Sequence, residues 1–334
     1  GKNMSPEKSS SRLARIMQIL LVKRLESSFT AFRESLENLQ RYTRNMLQMW
    51  ENDCIFICPQ IDVNAELNVA AKRKKDAAYT LERCYNDIRR KIARLNKDGR
   101  NTKLQNAEYR REDFNPAYYD LLCEDIRYID DLVNRWGKEY TDPKLLCFNL
   151  AIRQELFDKD KNRPQKLVVF SEAVATVHEI AGALSDAGKR VLTITAANRD
   201  KEENNIRANF DANYEGEQRN DYDAIVTTEV LAEGVNLHRA NTILNYDTPW
   251  NSTRLIQRIG RVNRIGSQED KVYVYNFYPS AEGDAEINLV QRAYTKLQSF
   301  HTLFGEDNRI FSEEEELSEV DYKKLLDDRE TPYT

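Results

Sequence analysis

From Ser11 to Trp50 the apolar residues recur at helical spacing: Leu13, Ile16, Met17, Leu20, Leu21, Leu25, Phe29, Phe32, Leu36 and Leu39. That pattern predicts one long helix or two abutting ones. Pro59 and Asp62 break it. A second helical stretch covers Leu67 to Leu95, with Leu81, Tyr85, Ile88, Ile92 and Leu95 in one stripe, and Asp98-Gly99 stops it. Leu122, Ile126, Ile129, Val133 and Trp136 mark a further helix from Tyr118 to Trp136, and the two are expected to fold back as an αα-hairpin. A helix should follow Pro143 to about Asp158. Beyond it the period changes. Short β-branched runs, Leu167–Phe170, Val191–Thr195, Ala224–Thr227, Thr242–Tyr246 and Val272–Phe277, alternate with helical segments such as Ala173–Ala187 and Glu202–Asn213. Continuous apolar runs separated by helices predict buried parallel strands. The expected fold class is therefore α/β: a parallel sheet flanked by helices over about Pro164 to Pro279, preceded by a long-helix and αα-hairpin region. Glu286–Phe304 reads as a closing helix, and Glu313-Glu314-Glu315-Glu316 belongs to a charged tail.

Composition adds limits. The chain has 334 residues, enough for two or three domains. Its net charge of -5 makes any attraction for nucleic acid a local matter. One such locality is the basic stretch from Lys72 to Arg111, which includes Lys72-Arg73-Lys74-Lys75 and is followed by acidic Glu112 to Asp142. It reads either as two helices that neutralise each other or as a basic arm on a nucleic-acid backbone. Five scattered cysteines point to a reducing compartment rather than a disulfide framework, and the Cys54, Cys58 pair lacks the second ligand pair a zinc site needs, so no metal ligands are expected. No run approaches the roughly 18 apolar residues of a membrane span. Gly1 to Ser11 lacks the apolar core of a secretory signal, and a cytoplasmic location is expected.

The most distinctive chemistry is Gln257-Arg258-Ile259-Gly260-Arg261-Val262-Asn263-Arg264. Arginines three apart share one helix face. Guanidinium stays charged and binds phosphate oxygens bidentately, so a multiply charged phosphate suits such a row. In a parallel sheet, ligands gather beyond the carboxyl ends of the strands. The segments there offer Ser171, then Thr227 and Thr228, whose hydroxyls and amides could hold phosphate oxygens. Gly234 suits a sharp turn or a close approach, and Asn236 could bond a ribose hydroxyl.

These segments, in order, resemble the second RecA-like domain of a superfamily 2 helicase or translocase. Val168-Val169-Phe170-Ser171 resembles motif IV, Thr228-Glu229 through Gly234-Val235-Asn236-Leu237 motif V, and Gln257-x-x-Gly260-Arg261-x-x-Arg264 motif VI. The loop Asp247-Thr248-Pro249-Trp250-Asn251 and the run Arg264-Ile265-Gly266-Ser267 are similar to the Swi/Snf-type branch, bacterial translocases included, and Lys23-Arg24-Leu25-Glu26-Ser27-Ser28 resembles its inter-domain segment. The resemblance implies that Arg261 and Arg264 are arginine fingers for the γ-phosphate of ATP, and that Gln257 links the cleft to the first domain. It implies that Gly234 and Asn236 border the nucleotide, and that Ser171 with Thr227 or Thr228 touches the nucleic-acid backbone. No Gly-x-x-x-x-Gly-Lys-Ser/Thr phosphate loop occurs in these residues. ATP and Mg²⁺ would then be held by an upstream RecA-like domain, with nucleic acid, DNA favoured, as the other partner. Thr193-Ile194-Thr195-Ala196 departs from the family in lacking a glycine. The expected organisation is 1–60 an inter-domain helix and linker, 61–142 a helical hairpin insertion with a basic first helix, 143–305 a RecA-like helicase C-terminal domain, and 306–334 an acidic tail. The alternative is a degenerate RecA-like domain that serves as a nucleic-acid or protein interaction module.

Overall fold

A computed structural model of the chain describes residues 6–72, 81–99, 106–136, 140–247, 249, 252–264, 266–267, 269–280 and 283. The expected closing helix over Glu286–Phe304 and the acidic tail lie outside them. The chain forms two compact units, one drawing on Gly1–Glu34 and Glu139–Gln291, the other on Ser35–Lys138.

The apolar stripe of residues 13–39 resolves into two abutting helices, α1 (Pro6–Ser27) and α2 (Phe29–Glu51), with Ser28 between them. In the second unit β1 (Ile55–Ile57) follows, then α3 (Val63–Lys72) and α4 (Leu81–Lys97). The helical stretch expected as one element over Leu67–Leu95 is thus divided, and α3 packs against α4. The chain then returns as β2 (Ala107–Tyr109), antiparallel to β1 with Ile55 opposite Tyr109, before α5 (Tyr118–Arg135). Leu81, Tyr85, Ile88, Ile92 and Leu95 of α4 face a core of Trp50, Ile55, Phe56 and Leu67. Gly99, at φ +64, supplies the left-handed residue that ends α4. Trp50 packs edge-on against Phe114 and tilted against Tyr118, with ring centroids 5.6 and 5.2 Å apart.

The first unit continues with α6 (Pro143–Gln154), β3 (Leu167–Phe170), α7 (Val174–Asp186), β4 (Val191–Ile194), α8 (Arg199–Phe210), β5 (Ala224–Thr227), β6 (Thr242–Asn245), α9 (Ser252–Val262) and β7 (Tyr273–Asn276). The five strands form one parallel sheet in the order β4-β5-β3-β6-β7. Central strands β3, β5 and β6 are buried along their whole length, as a sheet covered on both faces requires, while edge strand β4 alternates. Side chains divide at period two. Val168, Phe170, Ile225 and Ile243 join Ile206, Phe210 and Val262 on one face; Leu167, Val169, Val226 and Leu244 join Phe148, Ile152, Val177 and Ile180 on the other. The parallel register aligns the carboxyl ends Ile194, Thr227, Phe170, Asn245 and Asn276 along one edge of the sheet. The chain leaves central β3 for β4 and β5, then crosses to β6 and β7 on the opposite side. In open parallel sheets such a reversal is where ligands bind.

Candidate functional site

The arginine row does not behave as one face of three open cations. Arg258 is fully buried, and its anion lies within the chain. Its Nε and one terminal nitrogen donate to Glu229 Oε2 at 2.9 and 2.5 Å; the other donates to the Asp247 carbonyl at 2.8 Å and to Asn245 Oδ1 at 3.2 Å. The guanidinium also sits 5.1 Å from the Phe170 ring centroid. Arg258 therefore braces α9 against β3, β6 and the turn after β5. It drops out of the expected row of three cations facing one anion.

Arg261 stands in the last turn of α9, half-buried, and among the described residues makes long contacts of 3.4 Å to the Gln257 and Val235 carbonyls. Burial, then the neighbouring Arg264 cation, pulls its pKa below the ordinary value, with Glu233 opposing. A nearby anion would offset both effects. Arg264 lies beyond the end of α9, exposed, and donates to Asn236 Oδ1. Asn236 in turn donates to Asp211 Oδ2 at 3.3 Å.

The Leu237 amide donates to the Arg261 carbonyl at 2.8 Å, which pins the turn after β5 to the end of α9. Gln257 Nε2 meets Glu233 Oε1 at 3.5 Å. Gly234 adopts φ +78, and a Cβ there would lie 2.9 Å from a guanidinium nitrogen of Arg199, at the start of α8. The fold thus brings Gly234, Asn236, Gln257, Arg261 and Arg264 into one cluster. Beneath it His238 is buried; among the described residues neither ring nitrogen is hydrogen-bonded, Nδ1 lying 3.6 Å from Asp211 Oδ1, and burial holds its pKa below the ordinary value.

The expected nucleic-acid residues lie differently. Ser171 is fully buried, and its hydroxyl donates to Asp247 Oδ2 at 2.6 Å. Thr227 is buried, with its hydroxyl donating to the Thr228 carbonyl at 3.1 Å. Thr228 is buried too, and among the described residues its hydroxyl has no hydrogen-bond partner, next to the arginine-bracing Glu229. Lys72 ends α3; its side chain and Arg73, Lys74 and Lys75 lie outside the described residues.

Sequence reasoning missed Asp247 and Lys144. Asp247 Oδ2 also accepts from Ser27 Oγ and from the Glu172 amide, each at 2.8 Å, and Oδ1 accepts from Lys144 Nζ at 2.9 Å. Ser27, Ser171 and Asp247 each lie in a segment the sequence singles out, but the cluster draws on four separate segments, so no spacing shows that they meet. Among the described residues no group of three or more His, Cys, Asp or Glu could hold a metal ion, and no helix is long and apolar enough to cross a membrane.

Comparison with known proteins places a helicase domain over the sheet. Residues 148–266 match the helicase conserved C-terminal domain. The chain is 34% identical over 110 residues to the uncharacterized ATP-dependent helicase YqhH of Bacillus subtilis, a match covering 31% of this chain and 19% of YqhH. It is 33% identical over 112 residues to the ATP-dependent DNA helicase DDM1 of Arabidopsis thaliana, covering 32% of this chain and 14% of that protein. The crystal structure of the C-terminal part of the Fun30 ATPase domain is 12% identical, with 80% of this chain and 73% of that chain covered at a TM-score of 0.39. The matched part therefore spans less than a fifth of these two sequence relatives. With the sheet, the three ordered motifs and the matched family in agreement, this chain carries the C-terminal RecA-like domain of a superfamily 2 helicase.

Proposed function

We propose that this chain is the C-terminal motor half of an ATP-dependent nucleic-acid translocase of the Swi/Snf type, with DNA as its track. The observation that carries the reading is the pair Arg261 and Arg264: Arg258 is consumed by Glu229, whereas Arg261, among the described residues, makes 3.4 Å contacts to two carbonyls and has its pKa pulled down by burial and by Arg264. A phosphate would offset both effects. The arginines fit the γ-phosphate of ATP; a phosphate loop and a Mg²⁺-binding carboxylate would come from an upstream RecA-like domain, and the chain alone would be inactive. Bound nucleotide and Mg²⁺ supply the phosphoryl group and part of its charge neutralisation. Arg261 and Arg264 neutralise the charge that builds on the transferring group, Gly234 and Asn236 border the nucleotide, and Gln257 faces the first domain. Thr228 is the candidate for a strand phosphate; its hydroxyl is buried, so that contact requires the turn at Glu229 to open. Ser171 and Thr227 support that edge from beneath, and Lys72, Arg73, Lys74 and Lys75 offer a separate basic contact. DNA is favoured by the likeness of residues 247–251 and 264–267 to the Swi/Snf branch and by the similarity to DDM1.

Arginine fingers are worth about 10³ to 10⁵ in rate in phosphoryl transfer. In the full-length protein, Arg261→Ala or Arg264→Ala should reduce DNA-stimulated ATP hydrolysis by a factor in that range and leave DNA affinity unchanged. Near-normal turnover in both variants would overturn the motor reading and leave an interaction module. Duplex RNA in place of DNA in the same assay tests the choice of track.

A further inference from the structure

We propose that Asp247 is a positioning residue that ties the α1–α2 junction to the arginine helix; the inference rests on the motor reading above. The carboxylate of Asp247 is shared between two parts of the fold. Oδ2 accepts from Ser27, at the end of α1, and from Ser171 and Glu172, at the end of β3; Oδ1 accepts from Lys144. Its main-chain carbonyl faces the other way and accepts from Arg258 at 2.8 Å. Arg258 lies one turn before Arg261 on α9. A displacement at Ser27 therefore moves a residue whose own backbone is bonded to the helix that carries the catalytic arginine.

The junction is built for more than connection. Segments that merely link elements run exposed over the surface. Here Ser27 and Ser28 are 5% and 1% exposed. Both hydroxyls meet Thr176 Oγ1 at 2.8 Å, and Thr30 donates to Glu179 at 2.6 Å. Lys144 Nζ donates to the Glu26 and Ser27 carbonyls at 2.8 and 3.2 Å, which satisfies acceptors that α1 leaves open at its C-terminus and places a cation against the negative end of its dipole. The same ammonium holds Asp247. In the motor reading the ATP-holding domain precedes α1 in the chain. The path Ser27–Asp247–Arg258 then gives the orientation of that incoming helix a direct grip on where Arg261 and Arg264 stand.

A double-mutant cycle in the full-length protein tests this. DNA-stimulated kcat and the KM for ATP would be measured for Ser27→Ala, Arg258→Lys and the double variant, each corrected for folded fraction by its thermal transition. Coupling through Asp247 predicts that each single change lowers kcat with KM for ATP within about twofold. It also predicts that the double variant retains at least about threefold more kcat than the product of the two single losses, since coupled sites are non-additive. A purely structural role would lower the melting temperature, leave kcat per folded molecule intact for Ser27→Ala, and overturn the proposal; so would losses that simply multiply. If Arg258→Lys does not fold, Arg261→Lys replaces it, with the same expected coupling and the same overturning result. The two readings fail separately. Multiplicative losses alongside an inactive Arg261→Ala remove the coupling alone, whereas full turnover in Arg261→Ala removes the motor reading and the coupling with it.

Discussion

Asp247 keeps its charge in a site that would otherwise neutralise it. Burial works to raise its carboxyl, but Lys144, the Ser171 hydroxyl and the Glu172 amide outweigh burial and hold its pKa below the ordinary carboxylate value. In the unfolded chain the group titrates near about 3.9. Because the folded value is lower, its contribution to stability is complete above that pH and is lost as pH falls through the folded value. Urea midpoints measured between about pH 5 and pH 3 should therefore fall more steeply for the native chain than for Asp247→Asn, since the amide has no proton to bind; equal slopes would contradict the assignment. A second contrast concerns thiols. Burial, then a hydrogen bond to Glu108, pushes Cys54 up to about 12, whereas Cys147 is exposed. A maleimide at neutral pH should label Cys147 in the folded chain and reach Cys54 only after unfolding, because the thiolate is the reactive form. The spacing of Arg258, Arg261 and Arg264 was plain in the sequence, but their different fates were not. The partner that consumes Arg258 lies 29 residues away, on a turn whose position depends on the whole sheet.

Elements held by continuous burial were the readable ones. Leu167–Phe170 and Ala224–Thr227 are apolar without a break because both faces of the sheet are covered, and the strands fall where those runs are. Strands β1 and β2, three residues each, are too short to show a period, and their partners are 52 positions apart at Phe56 and Glu108. The division between α1 and α2 has a physical anchor that sequence spacing hides. Asp142 caps α6 through the Lys144 and Leu145 amides, at 2.8 and 3.3 Å, and also accepts from Phe29 N, the first amide of α2, at 2.9 Å. One carboxylate thus serves two helix starts. Asp142→Ala should cost about 2 kcal/mol, twice a typical single cap, read as a lower urea midpoint; a loss under about 0.5 kcal/mol would mean that water replaces it. At Gly234 the left-handed φ and the nearby Arg199 both oppose a side chain. Gly234→Ala should therefore destabilise the first unit by more than the roughly 1 kcal/mol of backbone preference alone, and calorimetry would show a smaller loss if Arg199 simply swings away.

At the scale of the molecule, the proposed motor reading needs a phosphate loop, and no Gly-x-x-x-x-Gly-Lys-Ser/Thr run occurs in these 334 residues. The chain expressed alone should hydrolyse ATP at background rate with or without duplex DNA, while the full-length protein should show DNA-stimulated turnover; stimulated turnover by the chain alone would place a nucleotide site within it. The discontinuity of the first unit, Gly1–Glu34 with Glu139–Gln291, bears on how the chain is made. Ser27 leaves the ribosome 220 residues before Asp247. At about 5 to 20 residues per second, the end of α1 waits roughly 10 to 45 seconds for its acceptor, while the core around Trp50 and Ile88 has already been synthesised. Slow translation between Asp142 and Asp247 would lengthen that exposure, so synonymous codon changes there should alter the yield of soluble protein without altering a single side chain.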